Sequence, residues 1–148
     1  MEKESGSATA KKAAKMLADS NAGYCIPSAA QKRNIVIAFA KRDMILYGRA
    51  FDVVRTSGAV DLNSLEDVER GIDKIVLCEI KSTRRPVDAD FRGFFFALTG
   101  PEVLVAQSLK KRFHFLFVNV NTGGYLELTL NEVFARSRGI YPTWSIMF

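Results

Sequence analysis

The sequence predicts an α/β fold of the α+β kind, a central mixed β-sheet flanked by helices, and three observations predict it. Ile75-Val76-Leu77-Cys78-Glu79-Ile80-Lys81-Ser82-Thr83 is apolar almost throughout, the pattern of a strand covered on both faces. Phe113 to Asn119 alternates, with His114, Leu116 and Val118 on one side and Phe113, Phe115 and Phe117 on the other. Around these strands stand helix starts with capping residues, Ser28 followed by Gln31 and Thr99 followed by Glu102. At 148 residues, 48% hydrophobic and 25% charged, the chain suits one globular domain whose core needs no covalent staples.

Taken in order, residues 1–7 are small and polar and are expected to be unstructured. Ala8 to Asp19 favours a helix that groups Lys11, Lys12 and Lys15 within about one turn. Residues 1–22 therefore read as a basic, partly flexible arm or helix, and residues 23–148 as a single domain. Pro27-Ser28 opens a second helix that packs through Ile35 and Phe39. Met44 to Tyr47 and Ala50 to Thr56 read as two strands or one bent strand, and Ser64 to Gly71 as one or two helical turns. After the central strand, Phe91 to Leu98 is expected to form a further strand, with Phe94, Phe95 and Phe96 in the core rather than as a base-stacking platform. A helix from Thr99 to about Lys110-Lys111-Arg112 follows, with Glu102 in the reciprocal capping-box position. Asn121-Thr122-Gly123-Gly124 turns the alternating strand into Tyr125 to Leu130, and Asn131 caps a short last helix. The apolar tail Ile140 to Phe148 is expected to pack as an edge strand or as a subunit contact.

The net charge of +5 is uneven: residues 1–43 hold eight Lys/Arg against four Asp/Glu, residues 44–74 four against six. A basic segment beside an acidic patch suits a protein that grips a polyanion and recruits a cation. Cys25 and Cys78 are too few for a disulfide framework. No apolar run has the length of a membrane span, and the N-terminal segment lacks a hydrophobic signal core, so a cytoplasmic protein without membrane contact is expected. The chain has no phosphate-binding glycine loop, which argues against a nucleotide cofactor, no Cys/His zinc spacing, and a single histidine, His114, that is more readily structural than catalytic.

The chemistry concentrates on the central strand. Glu79 and Lys81 lie two residues apart and so share a face, while Cys78 and Ile80 face the opposite layer. An acid and a base side by side in a covered strand are costly unless a divalent cation or a phosphate compensates them. Upstream, Asp52 stands alone among apolar residues in Arg49 to Arg55. Asp52 followed by Glu79-Ile80-Lys81 resembles the PD-(D/E)xK nuclease superfamily, with its restriction-endonuclease-like fold. The further run Phe94-Phe95-Phe96-Ala97-Leu98-Thr99-Gly100-Pro101-Glu102 and then Phe113 to Val118 is similar to the small nuclease-like domain family named after the C-terminal region of the plant NO VEIN protein.

That resemblance implies a metal-dependent endonuclease that hydrolyses DNA phosphodiesters. Asp52 and Glu79, with the backbone carbonyl of Ile80, would hold Mg²⁺, with Mn²⁺ as a substitute, and Lys81 would orient the attacking water. Lys11, Lys12 and Lys15, with Arg84 and Arg85 in the loop leaving the strand, are the expected phosphate contacts. A homodimer is expected where both strands of a duplex are cut. Two departures stand out: Phe51 rather than proline precedes Asp52, and Ser28 to Arg42 contributes no acid, so Gln31 or Asn34 takes the extra ligand position or it is vacant. Gln107 and Ser108 are further candidates to approach the site. Asp61, Glu66, Asp67, Glu69 and Asp73 read as a solvated, dipole-matched surface. The alternatives are a catalytically inactive nucleic-acid-binding domain of the same fold, or a small interaction protein in which Glu79 and Lys81 form a structural ion pair.

Overall fold

A computed structural model describes residues 2–148, with side chains from residue 6 onward. Five strands form one mixed sheet in sequential order: β1 Tyr24–Cys25, β2 Val53–Thr56, β3 Ile75–Thr83, β4 Phe113–Asn119 and β5 Tyr125–Leu128. Only β3 and β4 run parallel, and that pairing requires a crossover, which α4 (Gly100–Leu109) supplies. The other helices are α1 Glu2–Asp19, α2 Ala29–Ala40, α3 Leu65–Arg70 and α5 Leu130–Arg136.

The period of β3 divides the core into two layers. Ile75 and Leu77 face a layer built by Ile35 and Phe39 of α2, Val105 and Leu109 of α4, Val133 of α5 and the three odd-numbered phenylalanines of β4. Cys78 and Ile80 face the other, where Ala13, Ala14 and Leu17 of α1 close over Val53, Leu116 and Val118. The mixed sheet flanked by helices is the α+β arrangement that the strand patterns imply. Among the described residues, no helix is long and apolar enough to cross a membrane. Both cysteines are free thiols.

Local sequence explains most boundaries. At the start of α2, Ser28 Oγ accepts from the Gln31 N–H at 3.2 Å and Gln31 Oε1 accepts from the Ser28 N–H at 2.8 Å. The first turn of α3 hangs on Ser64, whose Oγ accepts from the Asp67 N–H. For α5 the cap is Thr129 rather than Asn131: Thr129 Oγ1 accepts from the Glu132 N–H, and Glu132 Oε1 accepts from the Thr129 N–H. A reciprocal box two residues earlier satisfies two helix donors where a lone asparagine satisfies one.

Four expectations are corrected. Residues 2–7 are the first turns of α1, not an unstructured lead, and Met1 lies outside the described residues. Met44 to Tyr47 is irregular and runs into a 3-10 turn at Gly48–Ala50, because Asp43 turns the chain with φ of 61° and Leu46 docks into the core instead. Phe91 to Leu98 is likewise not a strand: β2 and β4 already occupy both edges of β3, and Phe91 and Gly93 adopt φ of 57° and 79°. Its alternation survives in the irregular backbone, with the Phe94 and Phe96 rings 6.1 and 4.8 Å from that of Phe117 while Phe95 is 79% exposed. The tail from Ile140 to Phe148 forms no edge strand, since Pro142 in its middle has no N–H for a ladder, and Trp144, Met147 and Phe148 are exposed.

One ionic cluster on the α1 side joins all five strands. Glu127 of β5 accepts from the Tyr24 hydroxyl at 3.0 Å, from Arg55 Nε at 3.0 Å and from Arg55 Nη2 at 2.9 Å, and it lies 3.2 Å from His114 Nδ1. Cys78 Sγ of β3 is 3.8 Å away. His114 Nε2 lies 3.0 Å from the Lys111 carbonyl, so His114 takes a structural place. In a flat sheet β1 and β5 would stand about 19 Å apart, four steps of about 4.8 Å. Contact between Tyr24 and Glu127 therefore requires the sheet to curl strongly toward this face.

Burial alone would raise the Glu127 carboxyl, but hydrogen bonds from His114 and Arg55 outweigh it and hold it down at about 2. A carboxyl depressed by folding stabilises the native state above its unfolded value and loses that contribution as pH falls toward the folded one. Glu127→Gln leaves the Arg55 charge without its partner and is expected to cost on the order of 3 kcal/mol at neutral pH. Urea denaturation should show that deficit shrinking between about pH 4.5 and 2. An equal deficit at both ends would rule out the ionic explanation.

Candidate active site

The register of β2 against β3 builds the site. Their ladder ends at Val53 opposite Cys78, and the Asp52 N–H adds one more bond to the Cys78 carbonyl at 2.8 Å. At the next rung β2 has ended, and the Ile80 N–H donates instead to Asp52 Oδ2 at 2.9 Å. The side chain of Asp52 thus completes a sheet whose backbone partner is missing. Lys32 of α2 holds the approach by donating to the Gly48 and Phe51 carbonyls at 2.9 and 3.1 Å, with its ammonium 5.0 Å from the centre of the Phe51 ring. A strand residue turns its N–H and C=O to the same edge, so the Ile80 carbonyl leaves β3 on the Asp52 side.

Glu79 and Lys81 share the same face of β3, with Lys81 Nζ 3.7 Å from Glu79 Oε1 and both side chains largely buried. A second acid, Glu102 in the first turn of α4, lies 2.8 Å from the same ammonium. Thr99 Oγ1 does accept from the Glu102 N–H, but the Glu102 carboxylate turns to Lys81 instead of closing a reciprocal box. The Thr-x-x-Glu pattern at residues 99–102 marks that glutamate in the sequence; it does not say that a half-buried lysine outcompetes a backbone N–H for it. Burial pushes the Glu79 carboxyl up to about 9, reinforced by the neighbouring Asp52 and Glu102 charges and opposed by Lys81. The site thus disfavours a charged Glu79 unless a further cation balances it.

This donor set fits a hard divalent cation. All the oxygens are carboxylate or carbonyl, and a doubly charged ion would supply positive charge that favours the ionised carboxyl of Glu79. Among the described residues no group of three or more His, Cys, Asp or Glu side chains is arranged to hold a metal. Mg²⁺ is commonly bound through one or two carboxylates and keeps several waters, so the Asp52 and Glu79 pair is sufficient for it.

The remaining candidates divide clearly. Gln31 caps its own helix, and Asn34 Nδ2 donates to the Leu62 carbonyl at 2.9 Å, so neither fills an extra ligand position. Gln107 and Ser108 line a separate cleft with Lys110, Lys111 and Thr129. Asp67, Glu69 and Asp73 pair on the surface with Arg70, Lys41 and Arg112. Arg84 and Arg85 are exposed, and their loop is pinned from behind: Asn121 donates to the Arg84 carbonyl and Asn119 to that of Arg85. Lys11, Lys12 and Lys15 are exposed on α1, whose Ala13, Ala14 and Leu17 are buried against the sheet. A cleft of about 580 Å³ is bounded by Thr9 and Ala10 of α1, by Ile80 to Arg84 and by Phe94 to Phe96. No family model, curated protein or solved structure matches this chain.

Proposed function

We propose that the protein is a metal-dependent endodeoxyribonuclease of the PD-(D/E)xK type, hydrolysing phosphodiester bonds at the Asp52, Glu79 and Lys81 cluster. The observation that carries this reading is that an acid preceding β2 and the acid and lysine of β3 converge on one face, with Asp52 fixed by the Ile80 N–H. Mg²⁺ held by Asp52, Glu79 and the Ile80 carbonyl would supply Lewis-acid polarisation of the phosphate and neutralise charge as it develops.

The chain's own residues supply the rest. An ammonium has three donors; Glu102 and Glu79 engage two directions and leave one for the attacking water or a phosphate oxygen. Glu102 is a positioning residue: it fixes where that remaining donor points. Arg84 and Arg85, on a loop braced by Asn119 and Asn121, would grip phosphates flanking the scissile one. The exposed lysines of α1 would extend that basic track.

A second reading, a catalytically inactive nucleic-acid-binding domain, draws on the 2.8 Å Lys81–Glu102 pair, which closes the lysine onto an acid. Cleavage assays on plasmid and branched DNA with and without Mg²⁺ separate the two, since the inactive domain binds without cutting.

Asp52→Asn and Glu79→Gln keep side-chain shape and remove charge. Each is expected to abolish Mg²⁺-dependent cleavage while circular dichroism stays native, and wild-type rates in either variant would sink the assignment. Glu102→Gln should slow cleavage by about 10- to 100-fold, as loss of an outer-shell partner does, with DNA binding retained. Replacing Lys11, Lys12 and Lys15 together with glutamine should weaken DNA binding and flatten the log-affinity against log-salt slope by about 0.9 for each phosphate those lysines neutralise. An unchanged slope would restrict them to solvation.

A homodimer belongs to the same proposal, because one site attacks one phosphodiester at a time and a two-fold pair presents two sites to antiparallel strands. The exposed apolar tail from Ile140 to Phe148 is the contact to test. Light scattering should return about twice 16.5 kDa during double-strand cleavage. The monomeric mass together with both strands cut in one binding event would exclude the dimer.

A further inference from the structure

The segment carrying Phe94 to Phe96 is built two ways at once. Phe94 and Phe96 stack on each other with centroids 5.6 Å apart and press against Phe117, so they belong to the core. Phe95 is turned outward and is 79% exposed. Its aromatic neighbour among the described residues is Tyr141, itself exposed, at 6.5 Å between centroids. A large apolar ring left in water beside a cavity is the informative case of an exposed hydrophobe.

The cavity in question is the cleft of about 580 Å³ that runs from Lys81 past Ser82 and Arg84 to the phenylalanine segment, with the small residues Gly6 and Ala10 of α1 on its far wall. Among the described residues, a Cβ added at Gly6 would meet nothing within 4 Å. Among the described residues the lining carries two cations; the Lys81 ammonium is already held by Glu79 and Glu102, whereas Arg84 is exposed. The cleft's size falls within the range of about 300–1,000 Å³ that receives one small-molecule-sized group. An exposed aromatic ring beside an exposed guanidinium describes a receptor for one planar group attached to an anion.

We infer that this cleft takes the unpaired base of a single-stranded or frayed nucleic acid, stacked on Phe95 with its phosphate toward Arg84. The inference rests on the nuclease reading for the place of Lys81, and it deepens that reading by naming the substrate class as unpaired rather than fully duplex nucleic acid. Stacking on an aromatic ring is open to every base, because each has a π face, so the cleft selects strand state and not sequence. A paired base already stacked within a helix offers no such face.

The test uses the full chain in EDTA, where no cleavage occurs. A fluorescein-labelled single strand of about 12 nucleotides, within the span such grooves cover, is titrated by anisotropy beside the same strand annealed to its complement. The wild type should bind the single strand more tightly. Phe95→Ala should weaken single-strand binding by about 5- to 100-fold and leave duplex binding and the salt slope unchanged, since stacking carries no counterion release. Phe95→Trp should restore it. Because Phe95 is exposed, neither substitution disturbs the core. Single-strand binding that is indifferent to Phe95→Ala, or equal losses on both substrates, would overturn the inference. Cleavage of the same substrates with Mg²⁺ is read separately: a Phe95-dependent single-strand preference without cleavage removes the nuclease reading and leaves the cleft assigned, whereas cleavage with no effect of Phe95 does the reverse.

Discussion

The site depends on one hydrogen bond out of register. Where β2 has ended and β3 continues, the Ile80 N–H would stand unpaired at a half-buried edge, a situation that costs roughly 1–3 kcal/mol. Asp52 Oδ2 satisfies it at 2.9 Å. That single contact makes a carboxylate part of the sheet, sets it beside Glu79, and fixes its orientation more tightly than a surface rotamer could be fixed. Lys32, reaching from α2 to the Gly48 and Phe51 carbonyls, holds the preceding backbone so that the register does not slip.

The two faces of β3 handle charge differently. On the α1 side, Glu127 is saturated by Tyr24, Arg55 and His114, and its carboxyl is held far below the usual range. On the opposite side, Glu79 lies among Asp52 and Glu102 with one lysine between three acids, and its carboxyl is driven far above that range. The first cluster matches its carboxylate with the Arg55 guanidinium. The second has more carboxyls than cations, so its charge is left unbalanced.

Much of this was legible in the residue order. The apolar run Ile75 to Thr83 and the alternation of Phe113 to Asn119 give strands with those same limits, and Ser28 with Gln31 forms the capping box its spacing implies. Asp52, Glu79 and Lys81 do come together. What escaped has physical causes. A two-residue strand such as Tyr24–Cys25 is too short to show a period. The Phe91 to Leu98 segment has strand composition, but both edges of its natural partner are filled by other strands, a fact of topology that no local window contains. Glu102 has a local partner by pattern and a distant one by packing, and the distant one prevails because Lys81 is too buried to stay unpaired.

Every strand in this sheet lies beside its sequence neighbour, so most of the sheet can be assembled by short-range additions, which favours rapid folding. The bond between the Tyr24 hydroxyl and Glu127 is different, since 103 residues separate its partners. Closing so long a loop before the intervening strands are in place is entropically unfavourable. The clasp between the first and last strands is therefore expected to form late in folding. Its strength governs how slowly the native protein comes apart, with little influence on how fast it is made.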